Sequence, residues 1–334
     1  MTDGILSAQE KMVAVDSETG YDTDPWSGSD PTEWLAFENF DVSANIAEHQ
    51  DQRILATHDT LPSEFVGQSL GVSWTLPLTG KSAAAGTAPD WAALLKSANF
   101  EETLDVSSAL YKPITSDLST RVPSAHFAYY MVEKGHDQAR KMLIGGTRGN
   151  RTFTFNQGEW AKMTGEDTAL FTPFPSTPQA KPSNPTEYTG GKSLLRVQGM
   201  TLSVGGTNYA VAGCEVQTNW SVGEDSDLTA DEMVDYISLY RERTSPIGGS
   251  LTLRGKSAAL NNIISQLTSS SPTFELVITV SDGTDSIEFK MPVCQFTGYT
   301  PSASNGSTNF DLPFIAHGDL TDGGGENALQ IKCT

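Results

Sequence analysis

The stretch "SWTLPLTGKSAA" at 73–84 returns in shortened form as "SLTLRGKSAA" at 250–259, and the organisation of the chain is read outward from this pair. The G-K-S core invites a phosphate-binding reading. A phosphate-cradling loop needs a glycine five residues ahead of its G-K-[ST] glycine, so that backbone N–H groups can wrap the phosphates. Thr75 and Ser250 occupy those places, and a third "GKS" at 191–193 has Thr186 there. None of the three can form the loop. The alternative is that GKSAA marks the same point in two copies of one unit, and the two marks lie 175 residues apart in a chain of 334.

The order of elements around the marks supports a duplication. In the first half, strand-like content at 34–43 is followed by a polar stretch reaching Glu64, a strand at 71–80, and a segment at 89–100 that starts like a helix. Pro89 and Asp90 open that segment, and Trp91, Leu94 and Leu95 recur at helical spacing. Strands are expected at 109–115, 126–132, 141–146 and 151–156, with "GGTRGN" read as a turn between the last two. In the second half, strands at 196–206 and 213–222 precede an acidic loop, and a strand at 248–255 precedes a short helix at 257–267. Ser257 is the candidate N-cap there, with Leu260, Ile263, Ile264 and Leu267 on one face. Strands at 273–283, 286–296, 307–317 and 328–334 complete the chain, the first two joined by the hairpin signal "DGTD".

Five of the 17 prolines fall in 172–191, "TPFPSTPQAKPSNPTEYTGG". Proline fixes φ and lacks a donor, so this reads as an extended connector. The domain division is therefore 1–172, a linker at 173–191, and 192–334.

Charge is the loudest feature of composition. The net charge is −20, and residues 1–64 hold 14 acids against two cations, Lys11 and Arg53. Residues 65–189 balance at 11 against 11, and the remainder carries 16 against 8. Gripping nucleic acid requires cations that displace counterions, so this composition argues against a DNA-binding role. No window reaches the apolar length of a membrane span. The opening residues lack a basic region followed by an apolar core, so no secretory signal is expected. Cys214, Cys294 and Cys333 are odd in number and share no ligand spacing, which points to free, buried thiols in a reducing compartment.

A search for catalytic chemistry finds little. G-x-S-x-G is absent, and His49, His58, His126, His136 and His317 show no H-E-x-x-H spacing. His126 begins a strand-like run and is read as an ordinary edge or turn histidine. The acidic stretches at 16–24 and 223–232 lack the glycine and glutamate positions of a calcium loop. The arginines and glycines of "GGTRGNRTF" at 145–153 lack the strand-to-helix setting of a dinucleotide turn. The expectation is a protein that is not an enzyme, with no cofactor and no metal.

The ordered segments resemble the tail tube proteins of long-tailed bacteriophages in their two-part form. "KMVAVDSETGYDTDP" (11–25) is similar to the family's opening strand and turn, and "GVSWTLPLTGKSAAAGTAPDWAALLKSANFEET" (71–103) to its strand, approach and helix. "ALYKPITS" (109–116), "LIGGTRGNRTFTFNQGEWAKMTGE" (143–166) and "ENALQIKCT" (326–334) resemble later strands. Three departures are local: Asn99 where glycine usually ends the helix, the extra residues Asp16 to Glu18, and Met163 where phenylalanine is common.

The resemblance implies a mainly β fold of tandem tail-tube-like sandwich or barrel units, each with one short flanking α-helix. It implies stacked rings forming a hollow virion tail, assembled in the host bacterial cytoplasm. Its partners would be further copies of the chain, a tape measure protein, tail terminator and distal tail or baseplate proteins, with DNA in passing contact and no membrane. Two copies of one unit suggest a ring of three chains with pseudo-sixfold symmetry, six chains being the alternative. The long loops at 43–66 and 219–246 are expected to reach the next ring. Their candidate contact residues are Glu48, Gln52, Arg53, His58, Asp225, Asp227, Asp231, Glu232, Arg241 and Arg243. A non-polymerising, adhesin-like β protein is the competing reading, and a glycan-active enzyme a third, without a carboxylate pair to support it.

Overall fold

The structure is a computed structural model. It describes residues 6–26, 29–31, 34–49, 64–80, 86–114, 123–133, 138–175, 177–182, 194–204, 207–226, 234–240, 246–254, 261, 265, 273–304, 307–318 and 327–334. In the first half the strands are β1 (Leu6–Ser17), β2 (Asn39–His49), β3 (Glu64–Pro77), β4 (Phe100–Leu104), β5 (Ala109–Pro113), β6 (Ala125–Glu133), β7 (Gln138–Asn156), β8 (Lys162–Leu170) and β9 (Gln179–Ala180). Helix α1 (Ala92–Lys96) lies between β3 and β4. The second half contributes β10 (Arg196–Val204), β11 (Thr207–Gln217), β12 (Ser221–Ser226), β13 (Val234–Tyr240) and β14 (Gly248–Arg254). It continues with β15 (Thr273–Ser281), β16 (Ser286–Phe296), β17 (Thr300–Ser304), β18 (Ser307–His317) and β19 (Gln330–Cys333). The fold is mainly β, and every pairing between these strands is antiparallel.

Pairing order repeats between the halves. In the first it runs β1–β6–β7–β8–β3–β2. In the second it runs β10–β15–β16–β18–β14–β11, with β17 extending the line of β16 along β18. A further pairing of β10 with β11 closes the second series into a barrel. The halves are stitched together by hydrogen bonds between β7 and β11 and between β5 and β19. One apolar core runs through both, and Phe153 and Phe155 of β7 meet Phe289 of β16 with ring centroids 5.0 and 4.7 Å apart.

Three sequence expectations are corrected. "GGTRGN" is no turn: β7 passes straight through it as a 19-residue strand. Gly146 takes φ +62°, and there β7 changes partner from β6 to β8. The glycines bend the strand from one sheet into another instead of reversing it. Second, the expected loop at 43–66 begins and ends as strand, β2 and β3 staying paired out to His49 and Glu64. Likewise, 219–246 holds the hairpin of β12 and β13. The exposed outer part of β2 shows little alternation, and on β13 the alternation of buried Ile237 and Leu239 is short and follows an acidic run, yet backbone hydrogen bonds close both pairs. Third, His126 sits inside β6, between β1 and β7, so it is neither an edge nor a turn residue.

Helix α1 is shorter than its periodicity suggested, and Arg151 is a reason. Ala98 N–H bonds the Leu95 carbonyl, while the Leu94 carbonyl is taken by Arg151 Nε at 2.7 Å and Ser97 Oγ at 3.1 Å. Asn99, with φ +63°, ends the turn in the left-handed conformation that asparagine tolerates, and its Nδ2 donates to the Ile114 carbonyl at 3.0 Å. Of the helix expected at 257–267, only Asn261 and Ser265 are described, both helical, and the remainder lies outside the described residues. Part of the proline-rich linker is extended and docked, with β9 pairing to the start of β7.

Candidate functional site

The β7–β11 junction joins two sets of four strands into one row: β2–β3–β8–β7 continuing as β11–β14–β18–β17. Side chains alternate across this eight-strand row. One face is core: Trp74, Met163, Phe153, Val216, Leu251 and Leu312 are all buried. The opposite face carries Asp41 and Ser73, Thr75 and Thr164, Glu166 and Thr152, then Thr154, Glu215, Ser250, Thr252 and Asp311, none of them buried. Neighbouring hydroxyls and acids on it meet across strands, as in Thr252 Oγ1 donating to Asp311 at 2.8 Å.

Among the row's described side chains, the cations Lys162, Arg151 and Arg148 are each held by a partner. Lys162 Nζ pairs with Glu38 at 2.8 Å. Arg151 points into the core, where its guanidinium bonds Asp167, Ser97 Oγ and the Asn150 carbonyl and lies 4.9 Å from the Trp74 ring. Arg148 shares the alternation of Thr152 and Thr154 but is only 1% exposed. The β12–β13 hairpin covers it: its guanidinium lies between the rings of Tyr21 (4.8 Å) and Tyr236 (4.6 Å) and donates to the Ile237 carbonyl. The Tyr21 hydroxyl accepts the Ile237 N–H at 2.6 Å, and burial pushes this phenol above its ordinary range, so it stays neutral. Ser69 Oγ to Glu224 (2.7 Å) and Asn150 Nδ2 to the Trp220 carbonyl (2.7 Å) hold the same hairpin down.

Tyr21 is itself positioned by a pinned loop. The Glu18 side chain is 0% exposed. Its carboxylate accepts from Gly146 N–H (2.7 Å), Asp22 N–H (2.8 Å) and the Ser124 hydroxyl, and faces His126 Nδ1 at 3.2 Å. Glu18, Asp22 and His126 form the one group of three potential metal-ligand side chains found among the described residues. With three donors already on its two oxygens, Glu18 acts as a structural anchor. Asp22 has its carboxyl raised, by burial first and then by the Glu18 charge. No metal-ligand spacing in sequence could have found this group, because Glu18 and His126 are 108 positions apart.

No protein-family model and no curated protein matches the chain. Of the contact residues expected from sequence, Glu48 lies on β2 opposite Phe65, and Asp225 on β12 opposite Tyr236. Gln52, Arg53, His58, Asp227, Asp231, Glu232, Arg241 and Arg243 lie outside the described residues. All three cysteines are buried, and burial raises the thiols of Cys214 and Cys294.

Proposed function

We propose that this chain is a structural subunit of a phage-type tail tube, whose rings stack into a conduit for DNA. The eight-strand row carries the reading. It is amphipathic, with one face committed to the core and the other polar and acidic. Among the described residues its terminal strands β2 and β17 are each paired on one side only. Open edges of this kind either aggregate or are closed by neighbours, and closure around a ring leaves none. An acidic, hydroxyl-rich inner surface repels phosphates and leaves few cationic contacts to slow a passing duplex. Burial of Arg148 beneath the hairpin serves the same end.

Row length favours three chains per ring. Strands about 4.8 Å apart and tilted by about 40° each take up about 6 Å of circumference. Three rows, about 24 strands, then make a wall about 48 Å across, with a bore near 40 Å once side chains are allowed for. Six rows would give a bore of about 85–90 Å, several times the roughly 20 Å width of a duplex. The repeated pairing order supports the pseudo-sixfold arrangement of such a trimeric ring.

Negative-stain microscopy of the purified chain tests the reading. Uniform hollow filaments with threefold rings are expected. Protein that stays monomeric under all conditions, or that binds duplex DNA tightly, overturns it. The adhesin-like alternative predicts dispersed monomers.

A further inference from the structure

Resting on the tube reading, we propose that neighbouring chains in a ring are joined by a specific strand pairing: β17 of one copy against β2 of the next, antiparallel, with Ser302 opposite Asp41. The chain contains its own template for this joint. The two sets of four strands in the row have the same order, so the β7–β11 junction is the contact that the end of one set makes with the start of another. A second copy supplies the next start.

Register follows residue by residue. Ser73-Trp74-Thr75-Leu76 of β3 matches Ser250-Leu251-Thr252-Leu253 of β14. Ser73 pairs with Asp41 on β2, and Ser250 with Glu215 on β11, which makes Asp41 and Glu215 equivalent. On the other side Thr75 pairs with Thr164 and Thr164 with Thr152, while Thr252 pairs with Asp311 and Asp311 with Thr300. Thr152 is therefore equivalent to Thr300, and Thr154 to Ser302. Within the chain Thr154 faces Glu215 and Thr152 faces Gln217. Between copies the same geometry sets Ser302 against Asp41, Thr300 against Ser43 and Ser304 against Asn39.

An independent feature agrees with this register. Large exposed apolar side chains are few among the described residues, and two of them are Ile46 (49% exposed) and Tyr299 (50%). One step beyond Thr300 the template sets Tyr299 against Ala44, diagonal to Ile46 and on the same face. A diagonal cross-strand pair is within reach of an aromatic ring, so the seam covers both. The equivalent step inside the chain, Arg151 to Thr218, keeps the ladder going: Thr218 N–H donates to the Arg151 carbonyl at 3.0 Å. Pro301 lacks an N–H and removes at most one bond from the new ladder. The contact is heterologous, since β2 meets β17 and not another β2, and such contacts generate closed rings when the rotation closes.

The test uses Asp41→Cys and Ser302→Cys, alone and together, in full-length chains assembled into filaments and treated with a short thiol cross-linker. The double variant should give covalent dimers and then trimers, with trimer as the limit, and a mixture of the two single variants should give dimers. Neither single variant alone should cross-link. Homodimers of Asp41→Cys, or filaments that form without cross-links in the double variant or the mixture, overturn the seam while leaving the tube reading standing. Hydrogen exchange on the unmodified protein is the second measurement: amides within 39–43 and those of residues 300 and 302–304 should gain protection on assembly. Filaments without that protection also overturn the seam, whereas a chain that never assembles overturns both proposals.

Discussion

Replacing Arg151 by methionine keeps much of the side-chain volume and removes every donor of the guanidinium. Arg151 and Asp167 are both 0% exposed in their side chains. The substitution leaves Asp167 with Trp74 Nε1, at 2.7 Å, as its remaining side-chain donor. It also strips a partner from the Leu94 and Asn150 carbonyls and from Ser97 Oγ. Breaking a buried ion pair by deleting one member costs about 3–5 kcal/mol, chiefly because the other charge stays buried without compensation. The lost stacking on Trp74, at a site with no solvent, adds about 2 kcal/mol, while burial of the methionine side chain returns a similar amount. A loss of about 4 kcal/mol is therefore expected, or a urea midpoint roughly 1 M lower. Neutralising the orphan as well, in R151M/D167N, should recover at least about 1.5 kcal/mol, since directly paired groups are non-additive by such amounts. Equilibrium urea unfolding followed by tryptophan fluorescence is suited to this, because Trp74 and Trp91 lie in the same core. A loss below about 1 kcal/mol in R151M, or strictly additive effects in the double variant, would refute the account of Arg151 as the tie between helix and sheet.

Three further outcomes are expected. Gly165→Ala puts a methyl 2.2 Å from Trp74 Cε2 and Cζ2, and because the indole is held by Asp167 the overpacking should cost about 2–3 kcal/mol in the same unfolding assay. Asp22→Asn should raise Tm slightly near pH 7 and make no difference near pH 3. The raised carboxyl makes the folded state the better proton binder, so this group subtracts stability as pH climbs past its ordinary value of 3.8; pH-dependent melts in chelator-treated buffer check the sign. Ile46→Lys places a charge on the open edge of β2, where the native side chain is 49% exposed; the variant should melt like the parent yet form no filaments by microscopy.

Much of the strand content was legible because core strands alternate. β5, expected at 109–115, reads buried and half-buried at strict period two, and Trp74, Leu76, Phe153 and Phe155 occupy inward positions that any pattern search finds. The outer end of the β2–β3 hairpin was read as a loop for the converse reason, that a strand with little buried surface imposes no period on its side chains, while on β13 the two buried positions Ile237 and Leu239 are too few to stand out beside the acids before them. The glycine pair at 145–146 was misread since glycine permits both a reversal and a bend, and only the strands available on either side choose between them. The Glu18–His126 contact and the Tyr21–Arg148–Tyr236 stack join segments far apart in sequence, so no local spacing announces them.

By itself the sequence determined the β class and the acidic character, since each depends on residue type and order along the chain. Tertiary structure decided that the two halves share one row of strands, which face of that row is polar, and which arginines are hidden from it. Those outcomes depend on strand pairing between distant segments. Hydrogen bonds of the backbone carry the pairing, and they are the same for every residue and leave no signature in the sequence.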